Sequence, residues 1–101
     1  MEVAHSKHGV PIRLPSDRWL HIVEHHDDLA SYRDRVLETI EEPEEIARGK
    51  TGERLAMKSM EGRSLVVVYR ETSRMDGFVI TAFFTTQPDR IRKRGVVWQK
   101  R

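Results

Sequence analysis

The chain has 101 residues, 38% of them hydrophobic and 34% charged, with a formal charge of +2 and no cysteine. That length supports one hydrophobic core rather than two, and no run approaches the roughly 20 apolar residues of a membrane span. The missing thiols exclude a disulfide framework, a cysteine nucleophile and a cysteine-based zinc site, and residues 1–10 lack the apolar stretch of a secretory signal, so a soluble cytoplasmic protein is expected.

Residues 1–9 are polar and aperiodic and read as a flexible N-terminal segment, with a single domain over 10–101. Val10 to Leu14 suits a short strand. Pro15 and Ser16 then open a helix predicted to run to about Asp27, with Ser16 as N-cap and Asp17 placed favourably on the helix dipole. At 100° per residue Trp19, Ile22, Val23 and His26 form a core-facing stripe, while His21 and His25 lie one turn apart on its flank. Asp28 can cap a second helix whose apolar positions Leu29, Tyr32, Val36, Leu37 and Ile40 keep helical spacing until Pro43.

Beyond Lys50-Thr51-Gly52 the pattern turns to strands: Arg54–Met60, Arg63–Arg70 and Phe78–Thr86, most simply an antiparallel meander. Ser64 to Tyr69 and Phe78 to Phe84 are apolar on both faces, as central strands are. Val96-Val97-Trp98 reads as a further strand or an extended cover. The predicted fold class is α+β, with two N-terminal helices packed on a three- to four-stranded antiparallel sheet.

Charge is unevenly spread. Glu38, Glu41, Glu42, Glu44 and Glu45 crowd one short stretch, whereas Arg90, Arg92, Lys93, Arg94, Lys100 and Arg101 make the C-terminal end basic. Such a pole is either a solvated face or an attraction for phosphates. Trp98, set among these cations, is either packing or a platform on which a base stacks.

His21-Ile22-Val23-Glu24-His25 matches H-x-x-E-H, in which two helical histidines hold zinc. A third ligand and a large cleft are hard to supply in so short a chain, so no metal is expected. The metal-free alternative uses His21 or His25 as general acid or base, since imidazole titrates near neutrality; both are otherwise ordinary exposed helix residues.

His21-Ile22 with His25, the amphipathic helix ending near Pro43, the Leu65–Tyr69 strand and Ile80-Thr81-Ala82-Phe83 follow one another in an order that resembles the phage nuclease-like domains of the barnase, EndoU, colicin and RelE-like (BECR) fold. The resemblance covers about residues 10–99. It implies a metal-independent endoribonuclease of toxin or phage type, without cofactor, in which the ribose 2′-OH attacks the neighbouring phosphate. RNA is the implied partner, an antitoxin or immunity protein is a further candidate partner, and no membrane is involved. The resemblance carries the helical histidine onto His25, with His21 beside it, and the strand hydroxyl onto Thr81.

Lys58, Arg63, Tyr69 and Arg70, on or flanking the strands, are candidate substrate contacts, with Trp98 as a stacking surface. Where similar sequences break the first helix with a proline after the histidine, this chain has His26-Asp27-Asp28, which predicts that the helix runs on. A non-catalytic nucleic-acid- or protein-binding module on the same scaffold is the alternative, and the oligomeric state stays open.

Overall fold

The polar start of the chain contains a strand. In the computed structural model, which describes residues 2–101, Glu2–His5 (β1) pairs antiparallel with Pro11–Leu14 (β2). Alternation buries Ala4, Ile12 and Leu14 while Val3 stays outside. The connecting turn is closed by a bond from the Ser6 amide to the Val10 carbonyl, and Gly9 takes φ +78, a conformation open to glycine without steric cost.

The first helix is Ser16–His25 (α1), with Pro15 rather than Ser16 at the N-cap position and no side-chain cap. It does not run on. His26 leaves helical geometry at φ −138, ψ 71, and a single 3-10 turn, Asp27–Leu29, leads towards Arg33–Glu41 (α2). The remaining elements are Glu45–Arg48 (β3), Arg54–Met60 (β4), Arg63–Glu71 (β5), Gly77–Thr85 (β6), the short helix Pro88–Arg92 (α3) and Val96–Gln99 (β7).

The β4–β5–β6 meander is antiparallel, as three consecutive strand-like runs separated by turns predict. The surrounding architecture corrects the expected fold class. The sheet has seven strands in the order β1-β2-β6-β5-β4-β3-β7 and is mixed, because β2 runs parallel to β6 through Ile12–Gly77 and Arg13–Phe78. Among the described residues three α-helices accompany it, and strands rather than a helix come first. The extra strands β1 and β3 have four residues each, half of them charged or imidazole-bearing, which is too short and too polar for alternation to reveal.

Two apolar clusters lie on opposite faces of the sheet. On one face Ile46, Ala56, Leu65, Val67, Tyr69 and Val79 pack against Ile22 of α1 and Val36 and Ile40 of α2. On the other, Ala47, Leu55, Met57, Val66 and Val68 pack with Ile91 of α3, and Ile80 and Phe83 lie partly covered beside them. No helix among the described residues is long and apolar enough to cross a membrane.

Candidate active site

A bulge in β6 prepares the site. Tyr69 pairs with Val79 and Val68 with Thr81, which leaves Ile80 without a partner. Before the bulge Val79 faces the helices; after it Thr81 and Phe83 fall opposite Val68 and Val66, residues of the second face. One inserted residue thus moves the Thr81 hydroxyl away from the α2-packed core, the kind of re-aiming that bulges perform beside functional sites.

The helix reaches the same place from the edge. β2 pairs with β6 only at Gly77 and Phe78, and α1 packs against β6 beyond it. Ile22 anchors α1 in the first cluster, while the His26 ring lies 6.1 Å from that of Phe83 on the second face. Between helix and strand is a pocket of about 320 Å³ lined by Arg18, His21, Ile22, His25, Ile80 and Thr81, with His26 also at its wall. Arg18, His21 and His25 are exposed and Thr81 is half-buried.

Within this pocket the two imidazoles lie with ring centres 4.6 Å apart and planes tilted by 49°. His25 Nδ1 is 3.0 Å from the His21 carbonyl oxygen. A carbonyl only accepts, so Nδ1 carries the hydrogen, and a neutral His25 then has its lone pair on Nε2. The backbone of the helix thereby selects the tautomer in which Nε2 can take a proton.

The pocket unites His21, His25 and Thr81, and it adds Arg18, which sequence reasoning passed over. The signal was available: Arg18, His21, Ile22 and His25 stand at i, i+3, i+4 and i+7, a single stripe of one helix. Among the described residues Arg18 has no ion-pair partner.

The candidate substrate contacts are not at this pocket. Lys58 donates to Glu38 of α2 at 3.0 Å, on the other face of the sheet. With Arg35 it holds the Glu38 carboxyl below the ordinary carboxylate range, the Lys58 bond being the larger cause. Arg63 lies 3.6 Å over the ring of Phe84 and 3.6 Å from Asp28. Arg70 donates to the Thr51 carbonyl at 2.7 Å and to its hydroxyl at 3.2 Å. Tyr69 is 2% exposed, and burial pushes its phenol well above the usual range, with Glu71 adding to the shift and Arg54 opposing it. Trp98 sits with Tyr69 in a separate recess of the helix-bearing face.

Glu24, the acid of the H-x-x-E-H pattern, is exposed and does not line the pocket. Among the described residues no three His, Asp or Glu side chains are grouped closely enough to share a metal ion.

An α+β domain whose first helix and bulged central strand bring two histidines, a threonine and a free arginine into one pocket has the outline of a nuclease-like protein. The chain belongs to the family described as phage-Barnase-EndoU-ColicinE5/D-RelE like nuclease 2, whose model matches residues 2–99. No curated protein and no solved structure matches the chain.

Proposed function

We propose that this domain is an endoribonuclease that works without a metal ion, and that the α1–β6 pocket is where RNA is cut. His25 takes the proton of a ribose 2′-OH at Nε2 as that oxygen attacks the adjacent phosphorus. The new P–O2′ bond forms as the P–O5′ bond breaks, and His21 delivers a proton to the departing 5′ oxygen. The products are a 2′,3′-cyclic phosphate and a free 5′-OH. Thr81 donates its hydroxyl hydrogen to a non-bridging phosphate oxygen, and Arg18 offsets the charge that builds on the phosphorane.

The observation that carries this reading is the convergence of His21, His25, Thr81 and Arg18 on one pocket. Its chemical logic needs two proton carriers close together, one neutral and one protonated, and a hydrogen-bond donor beside them. The family supports a nuclease; the choice of RNA over DNA rests on the proton carriers, which suit a nucleophile already present in the ribose.

The test is cleavage of an end-labelled RNA in excess EDTA, beside the same oligonucleotide with a single 2′-deoxyribose at the cut position. Cleavage of the first only, ending in a cyclic phosphate and lost in His25→Ala, is the expected result. Equal cutting of the deoxy substrate would overturn the mechanism, and intact RNA in all lanes, with binding retained, would make the domain a non-catalytic module.

A further inference from the structure

On the helix-bearing face, apart from the α1–β6 pocket, a second recess of about 330 Å³ is lined by Lys7, His8, Ile46, Arg54, Tyr69 and Trp98. Ile46 and Tyr69 belong to the core cluster of that face, which fixes the floor of the recess. Its walls come from distant parts of the chain: the β1–β2 turn gives Lys7 and His8, β4 gives Arg54 and β7 gives Trp98.

The electrostatics of this recess are unbalanced. Arg54 is half-buried, and among the described residues its guanidinium has neither a carboxylate within ion-pair distance nor a hydrogen bond. Other half-buried arginines are matched: Arg13 by Asp76, Arg33 by Glu2 and Arg63 by Asp28. Lys7 lies 5.2 Å from the centre of the Trp98 ring and is ion-paired with Glu42 at 3.8 Å, so Arg54 is the cation of the recess that lacks an anion. Glu71, whose charge acts on the Tyr69 phenol, is already engaged by the Ser6 hydroxyl and by His8 Nδ1. A partly desolvated cation without an anion is a cost that an incoming anion relieves.

The remaining chemistry is aromatic. Trp98 is half-buried and offers an indole wall beside the cations, and the buried Tyr69 stays protonated, so its hydroxyl is a donor rather than a second negative charge. The volume falls at the small end of the roughly 300–1,000 Å³ typical of small-molecule sites, space for a single nucleotide rather than a strand.

We infer that this recess is a second binding site, separate from the histidine pocket, for a nucleoside monophosphate: the phosphate on Arg54 and Lys7, the base against Trp98. The inference does not depend on the cleavage reading. Because the two pockets share no lining residue, ligand bound here leaves the histidines open.

The two tryptophans allow a direct test, since Trp98 lines the recess and Trp19 lies on α1. In a nitrogen-15 spectrum titrated with AMP, the Trp98 indole N–H should shift while that of Trp19 stays. Inorganic phosphate and adenosine should each bind more weakly than AMP. Arg54→Gln should weaken AMP by about tenfold or more, Lys7→Ala should weaken it in the same direction, and His25→Ala should leave it unchanged. The inference is overturned if AMP at millimolar concentration moves neither indole, if phosphate alone binds as well as AMP, or if His25→Ala abolishes the shift. It is equally overturned if Lys7→Ala, which alters only an exposed turn, and a folded Arg54→Gln both bind as the native protein does.

Discussion

Thr81 stands opposite Val68 in the β5–β6 ladder only because Ile80 is passed over. Without that extra residue the alternation of β6 would continue unbroken from Val79, a core residue of the helix-bearing face, and Thr81 would follow it there. Thr81→Val keeps the branched shape and removes the donor. On the proposed mechanism, cleavage should fall by about 10²–10³-fold, as when one transition-state donor is lost, while the thermal midpoint stays near that of the native protein. Unchanged cleavage would place the hydroxyl outside the reaction.

If His25 and His21 divide the work as base and acid, the rate against pH should be bell-shaped. Substituting either residue with alanine should cost about 10²–10⁴-fold, and the residual activity should lose one limb of the bell. A profile that keeps both limbs in both variants would assign the proton transfers elsewhere.

Arg18 and Lys58 separate charge at the pocket from charge in the framework. Arg18→Ala should slow cleavage by about ten- to a hundredfold through loss of a charge-assisted contact, with little effect on melting. Lys58→Ala should leave cleavage alone and lower stability by about 1 kcal/mol or less, the value of a partly exposed ion pair. Paired kinetics and denaturation curves distinguish the two, and the reverse pattern would favour the strand cation as the phosphate contact.

Asp76 ties the loop before β6 to β2. Its carboxylate accepts from Arg13 Nε at 2.7 Å and from Nη2 at 3.1 Å, and that bond, ahead of the Coulombic attraction of the same arginine, holds its pKa below the ordinary 3.8. A carboxyl depressed by folding adds stability above its unfolded pKa and loses it as pH falls through the lower, folded value. Urea denaturation of the native protein and Asp76→Asn should therefore differ at neutral pH, begin to converge below the ordinary 3.8 and coincide once the pH is under the lower folded value. A gap that persists in acid would assign the effect to packing.

Gly77 sits where β2, β5 and β6 meet. A Cβ there would come within 2.6 Å of the Arg70 carbonyl oxygen and 2.6 Å of Ile12 Cδ1. The side chain can move but the backbone oxygen cannot, so Gly77→Ala should destabilise by about 1–3 kcal/mol, the usual range for overpacking. A melting point at the native value would show that the three strands have room to spread.

The parts of the fold that could be read from the sequence are those with long, regular patterns. β4, β5 and β6 carry seven to nine residues each, and α2 repeats its apolar positions. β3 could not be read because Glu45-Ile46-Ala47-Arg48 follows Pro43 and an acidic run, and it is a strand only because β4 and β7 flank it. The end of α1 was also hidden, since nothing in His26-Asp27-Asp28 forbids a helix; in the fold His26 leaves helical geometry with its ring 6.1 Å from that of Phe83.

At the candidate site, the juxtaposition of His21, His25 and Thr81 came from resemblance, and the geometry bringing them together is a bulge that no local rule announces. The strand cations lie away from this pocket for a simpler reason. A sequence does not show that Lys58 has Glu38 waiting on α2, or that Arg70 has a threonine of the β3–β4 loop. Trp98 was linked to the basic tail, yet Arg92 of that tail bonds Glu45 and Asp89, and the cations beside the indole are Lys7 and Arg54, from the other end and the middle of the chain.

The parallel join of β2 to β6 links residues 12 and 77, and the histidine helix follows β2 immediately. Contacts so far apart in the chain form late, because a long loop must close before they are rewarded. A nascent polypeptide that has emerged only through the β5–β6 loop holds both imidazoles but not the strand that completes their pocket. Any activity housed there would switch on with the closing of the sheet, making the finished fold its own safeguard during synthesis.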